Sequence, residues 1–104
     1  MSVKRNAPCV IVKELPFDAP PGHTMYRRND TGVIERLAFG CPCGCGTHYG
    51  AVFVGPNPWT FDGNVERPTV TPSLGCYPNH ESPVGPDGTY HWHGYLKAGL
   101  FEEC

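Results

Sequence analysis

Short runs of hydrophobic residues, each bounded by glycine or proline, alternate along the whole chain. Thirteen Gly and twelve Pro interrupt the sequence, and the longest stretch without either is the nine residues of 23–31. An average helix in a globular protein is longer, at about 11–12 residues. The pattern therefore predicts an all-β domain with little or no helix, built from short antiparallel strands and hairpins.

Eight strands follow from this punctuation, and two tight turns join neighbouring ones. The hairpin turns are NDTG at 29–32 and KAGL at 97–100, and GPDG at 85–88 is a further turn. No repeat or linker divides the 104 residues, so we expect one domain, residues 1–104. The predicted strands are 9–15, 24–28, 32–39, 48–54, 59–62, 69–74, 89–96 and 99–103.

Composition indicates that this small domain needs a covalent or metal cross-link. Large aliphatic residues are few, the net charge is only −2, and six cysteines are present. Small domains with weak cores recruit disulfides or metals. The N-terminal segment has no apolar stretch of signal-peptide length, and no run approaches the roughly 20 apolar residues of a membrane span. We therefore expect a cytoplasmic protein, with reduced thiols that favour a metal over disulfides.

Two segments carry the candidate metal ligands. CPCGCG places Cys41, Cys43 and Cys45 within five positions, and YHWHG contributes His91 and His93, which share one face if the segment is a strand. Thiolate and imidazole together favour zinc over magnesium or calcium, and two of each complete a tetrahedral site. The sequence thus predicts one Zn²⁺ per chain that joins two hairpins.

The identity of the four ligands stays open at this stage. His48, three residues after the cysteine cluster, and Cys76, after TPSLG, are reserve ligands. Histidines paired on a strand are also common as plain surface residues. Cys9 opens an apolar run and is expected in the core, and Cys104 ends the chain as an uninvolved thiol.

Three motifs in order resemble a family of small bacterial and phage proteins, domain of unknown function 6527. They are FGCPCGCGTH (39–48), WTFDGNVERPTVTPSLG (59–75) and HWHGYLKAGLF (91–101), and the resemblance covers about 37–101. It implies a metal-binding domain with no established activity, encoded in phage or prophage genomes or beside bacterial ubiquitin-like conjugation genes. Matched by position, it implies Cys41, Cys43, Cys45 and His93 as ligands, with His91 where many members have Cys.

The leading functional hypothesis is a zinc-stabilised domain that binds another protein and catalyses nothing. No HExxH or zinc deaminase signature is present, and neither 39–54 nor 89–96 contains Asp or Glu to serve as a general base. RPTVTPSLG (67–75) is interpreted as a strand edge shaped by Pro68 and Pro72, or alternatively as a rigid binding loop.

Two alternatives remain beside this hypothesis. One is a metal-dependent hydrolase, for example one that acts with ubiquitin-like systems. The other is a nucleic-acid-binding zinc module, which the ten acidic residues against eight basic ones disfavour. The sequence does not specify the oligomeric state.

Overall fold

The computed structural model describes residues 4–77 and 90–104, and these residues form strands, turns and loops without a helix. The predicted all-β class is confirmed. No helix long and apolar enough to cross a membrane occurs in either described range. The strands are β1 (Ala7–Pro8), β2 (Val10–Ile11), β3 (His23–Arg28), β4 (Ile34–Gly40), β5 (His48–Val52), β6 (Thr60–Phe61), β7 (Val70–Cys76), β8 (Trp92–Lys97) and β9 (Leu100–Glu103).

The strands form two sheets. The first has five strands in the order β1-β9-β8-β7-β6, and the second has four in the order β2-β3-β4-β5. All pairs are antiparallel except β2 with β3, which is parallel. β5 is consequently an edge strand of the second sheet, and β7 and β8 lie inside the first.

The predicted strand at 9–15 is wrong in its extent. The chain instead forms two short strands on either side of Cys9, and they join different sheets. The Cys9 N–H donates to the Gly99 carbonyl at 2.8 Å, whereas the Val10 N–H donates to the Gly22 carbonyl at 3.0 Å. Pro8, which has no N–H to extend the ladder, precedes this change of sheet. Cys9 itself packs against the core, as predicted.

Both predicted hairpin turns are present. β3 and β4 are joined through Asn29–Gly32, where the Asn29 side chain accepts hydrogen bonds from the N–H groups of Thr31 and Val33. β8 and β9 are joined by Ala98 and Gly99, both with positive φ (46° and 80°), the requirement of the tightest hairpin loops. The predicted turn at 85–88 lies outside the described residues.

The two sheets bury one shared core. Phe39 of β4 meets Phe101 of β9 with ring centroids 4.9 Å apart, and Trp92 of β8 packs edge-on against the same Phe101 ring at 6.2 Å. All three side chains are fully buried. Aromatic pairs at these separations contribute beyond the apolar area that they bury. This contact holds β4 and its following loop against β8.

An irregularity in β7 directs one part of that strand toward solvent. Val70 pairs with Leu96 and Leu74 with Gly94, so four positions along β7 correspond to only two along β8. The extra residues form a bulge that contains Pro72 and Ser73. Proline cannot donate to a ladder, and a bulge accommodates it. The predicted strand edge is wrong, because β7 lies between β8 and β6 in the sheet. Bulges reorient side chains and occur frequently beside functional sites.

The described N-terminal residues are tied to β8 and β9. The Arg5 guanidinium forms an ion pair with Glu103 at 2.6 Å and also donates to the His91 carbonyl. The Trp92 indole N–H donates to the Arg5 carbonyl at 2.8 Å. Because the Glu103 side chain is only 2% exposed, loss of Arg5 would leave a buried carboxylate without its counter-charge.

We predict unequal effects for two Phe→Ala substitutions. Phe101 is fully buried and Phe17 is 98% exposed. Phe101→Ala should lower the free energy of unfolding by about 3–5 kcal/mol, because it removes buried contacts and leaves a cavity. Phe17→Ala should change it by less than about 0.5 kcal/mol. Urea unfolding of both variants measures the difference, and equal effects would contradict the core described above.

Candidate functional site

Three cysteines lie in the loop that joins β4 to β5. Cys41 directly follows β4, and the Gly44 N–H donates to its carbonyl at 2.9 Å to close a turn. Gly44 and Gly46 have φ of 87° and 84°, a conformation that side-chain-bearing residues rarely adopt. The Cys41 N–H donates to the Thr47 carbonyl at 3.0 Å, which closes the base of the loop. The alternating glycines thus turn the chain around its own thiols.

His91 completes a group of four donors with these cysteines. One ligand atom from each of Cys41, Cys43, Cys45 and His91 lies within 4.8 Å of all the others. His91 Nε2 is 3.0 Å from Cys41 Sγ and 3.5 Å from Cys45 Sγ, and the Sγ atoms of Cys41 and Cys43 are 3.3 Å apart. Cys41, Cys43 and Cys45 are all free cysteines, so none of these three thiols is used in a disulfide. Three sulfurs and one imidazole fit a metal ion that prefers soft ligands.

The other ring nitrogen of His91 fixes which nitrogen faces the sulfurs. Nδ1 lies 2.5 Å from the Tyr77 carbonyl, which can only accept a hydrogen bond, so Nδ1 carries the proton and Nε2 presents its lone pair to the thiols. Histidines that bind metals usually donate their second N–H in this way. His91 is fully buried, so its orientation is fixed by these contacts and by packing.

Two thiols of the cluster have raised pKa values. The hydrogen bond with Cys76, together with burial, raises the pKa of the Cys41 thiol well above its usual range. Burial, with the neighbouring Cys41, likewise raises the pKa of Cys43. Both shifts favour the neutral thiol over the thiolate. A bound divalent ion supplies the positive charge that converts such thiols to thiolates.

His93, predicted as a ligand on the same strand face as His91, lies outside this group. β8 begins only at Trp92, so His91 precedes the strand and the expected alternation between the two histidines does not apply. The two reserve ligands also lie outside the group. Cys76 is buried beside Cys41 as its hydrogen-bond partner, and His48 is exposed with Nε2 2.6 Å from the Pro16 carbonyl.

His93 instead pairs with a serine in the bulge of β7. Its Nε2 lies 2.8 Å from Ser73 Oγ, a distance suited to an O–H···N hydrogen bond. Both side chains are half-buried and so remain accessible to a ligand. The Tyr90 ring stacks on the imidazole with centroids 5.0 Å apart, and the Trp59 indole N–H donates to the Ser73 carbonyl at 3.2 Å. These contacts orient both members of the pair.

The pair opens into a cavity of about 460 Å³. Its walls are mostly aromatic rings and glycines, and none of the described residues that line it is Asp, Glu, Lys or Arg. A side-chain carbon at Gly75 would lie 2.6 Å from the Tyr90 ring, so glycine is needed for that ring to lie against the wall. Besides Ser73 and His93, the lining consists of Tyr49, Gly50, Trp59, Gly75, Tyr77 and Tyr90.

The donor cluster and the cavity share a wall. The Tyr77 carbonyl accepts hydrogen bonds from both His91 Nδ1 and the Tyr49 hydroxyl, the latter at 2.8 Å. Tyr49 and Tyr77 line the cavity, and His91 belongs to the cluster. A shift of His91 would therefore move the cavity wall as well as a ligand.

The sequence motifs did not reveal Ser73. TPSLG carries no recognised nucleophile motif, and its proximity to His93 results from a pairing of β7 with β8 across 20 residues. One feature of the sequence indicated that a histidine has another role: two histidines and three cysteines give five candidate ligands for a four-coordinate site. The surplus histidine is the one that contacts the serine.

A family model matches residues 11–104 of the chain, under the description "Bacterial ubiquitination-like system serine protease (BubE)". The chain belongs to the BubE family. The match extends beyond the 37–101 covered by the motifs, and the matching family is BubE and not domain of unknown function 6527. The expected connection with a bacterial ubiquitin-like system agrees with this family. No curated protein and no solved structure matches the chain.

We predict that purified BubE protein contains about one equivalent of metal per chain. Cys43→Ser should lose most of it, because the substitution removes one of four donors. Cys104→Ser should retain it, since Cys104 is exposed and outside the cluster. Elemental analysis of the two variants, purified side by side, makes the comparison. Equal metal contents in the two variants would contradict the assignment.

Proposed function

We propose that this BubE protein is a serine peptidase of a bacterial ubiquitination-like system, with Ser73 as nucleophile and His93 as general base. The observation that carries the proposal is the 2.8 Å contact between Ser73 Oγ and His93 Nε2 at an accessible cavity. A serine hydroxyl is a weak nucleophile until an adjacent base accepts its proton. The family description, which names a serine protease, supports the same reaction.

The proposed reaction has two steps. Ser73 Oγ attacks the carbonyl carbon of the substrate amide, and its proton passes to His93 Nε2. His93 then donates that proton to the leaving nitrogen as the C–N bond breaks, which leaves an ester on Ser73. In the second step water gives a proton to His93 and attacks the ester carbon. The bond between the acyl carbon and Ser73 Oγ breaks, and His93 returns the proton to Ser73.

We further propose that the cluster holds one structural Zn²⁺. Cys41, Cys43, Cys45 and His91 supply the four ligands of a closed tetrahedral site, and zinc is the usual metal of such Cys₃His sites. The ion would join the loop after β4 to the segment before β8. Because His93 lies two residues after His91, this cross-link also sets the position of the proposed base.

The proposal departs from the expectation of a binding role without catalysis. That expectation assigned His93 to the metal, whereas His93 contacts Ser73. The hydrolase alternative is retained in altered form, with a serine nucleophile in place of metal-bound water. A protein partner is also retained, now as the substrate. The phage or prophage origin stays a prediction.

We predict that a fluorophosphonate probe labels the protein at Ser73. Ser73→Ala should abolish labelling, and His93→Ala should slow it by about a thousandfold or more, because the serine loses its base. His48→Ala is the matched control: this exposed histidine contacts the Pro16 carbonyl, and its variant should label normally. Mass spectrometry of labelled protein locates the modified residue.

Two results would contradict the proposed function. One is labelling of Ser73→Ala at the rate of the unaltered protein. The other is normal labelling of His93→Ala. Ser73→Ala should keep its metal content, since Ser73 is not among the four donors, so a loss of labelling with retained metal reports on the nucleophile and not on folding.

A further inference from the structure

We propose that the substrate binds as an extended strand along the outer edge of β5, where the main-chain N–H and C=O of Gly50 pair with the substrate backbone. This inference rests on the proposed function, since it places the substrate beside Ser73. It assigns the recognition of substrate to main-chain groups of one edge strand.

The alternation of the β4–β5 ladder decides which residues face outward. The Phe53 N–H donates to the Glu35 carbonyl at 2.8 Å, and the Cys41 N–H donates to the Thr47 carbonyl at 3.0 Å. Both bonds join residues that are paired in the same register as Ala51 and Leu37. The odd-numbered residues of this segment therefore direct their main-chain groups toward β4. In an antiparallel pair the intervening residues direct their main-chain groups to the other side. Gly50 is one of these.

The outer side of β5 already forms one main-chain hydrogen bond. The Val52 carbonyl accepts a hydrogen bond from the Trp59 N–H at 2.9 Å, as its outward direction requires. Among residues 4–77 and 90–104, no other strand pairs with this side of β5, whose only strand partner there is β4. An open edge of this kind is where an extended peptide can add a strand.

The open part of the edge faces the proposed nucleophile. Gly50 is exposed and lines the same 460 Å³ cavity as Ser73 and His93. None of the described lining residues is Asp, Glu, Lys or Arg, so the charged side chains of residues 4–77 and 90–104 offer no pairing partner to a substrate in this cavity. The outward main-chain N–H and C=O of Gly50 supply polar contacts that would align a substrate amide with Ser73. The occupant that fits is an unstructured polypeptide segment in extended form.

Substitution of Gly50 is an unsuitable test, since an added side-chain carbon would lie 2.8 Å from the Leu37 carbonyl oxygen. The test therefore alters the substrate. A mixture of quenched-fluorescent decapeptides is exposed to the full chain with its metal, and the best-cleaved sequence is resynthesised with one N-methylated amide at a time. Strand addition predicts that alternate amides near the scissile bond are sensitive. Each should lower kcat/KM by about tenfold, and the intervening amides should have little effect.

A second measurement tests directly whether the Gly50 amide is protected when a peptide binds. In Ser73→Ala protein saturated with the same peptide, hydrogen exchange of the Gly50 amide should slow by about tenfold or more. The Ala51 amide, which already faces β4, should not change. Sensitivity to N-methylation without alternation, or an unchanged Gly50 amide in the complex, would overturn the docking proposal. The docking proposal would also be overturned if the fluorophosphonate labels Ser73 but the protein cleaves no peptide of the mixture. Absence of labelling at Ser73 would instead overturn the proposed function.

Discussion

The imidazole of His91 is the constraint on which the rest of the site depends. One nitrogen faces the thiols of the loop after β4, and the other donates to the Tyr77 carbonyl after β7. A single buried ring thus connects the two sheets at the point where the chain enters β8. Because the apolar core of so small a domain is limited, a metal bound at this point would supply much of the energy that orders the segment.

The four residues from Tyr90 to His93 each serve a different part of the molecule. Tyr90 lines the cavity, His91 belongs to the donor cluster, Trp92 fills the core and His93 contacts Ser73. Strand alternation sends Trp92 and His93 to opposite sides. The segment therefore couples metal binding, core packing and the proposed catalytic pair. A displacement of any one residue would disturb the other three.

The fold was predictable from the sequence where local signals were strong. Gly99 and the Asn29–Gly32 turn mark the hairpins, because positive φ and side-chain caps are local properties. The cysteine loop was equally visible. The bulge at Ser73 and the change of sheet at Cys9 were not, since both depend on pairing with strands distant in sequence. The sequence predicts His93 as a ligand because alternate residues share a face within a strand. His91 lies before the start of β8, so this rule does not apply to the two histidines.

A metal ion bound by Cys41, Cys43, Cys45 and His91 would hold His93 in register with Ser73. Stepwise removal of metal by a chelator, with the fluorophosphonate labelling rate followed at each step, tests it most directly. The account predicts that the labelling rate falls in proportion to the metal removed and returns when metal is restored. A metal-free protein that stays folded and labels Ser73 at the full rate would contradict it.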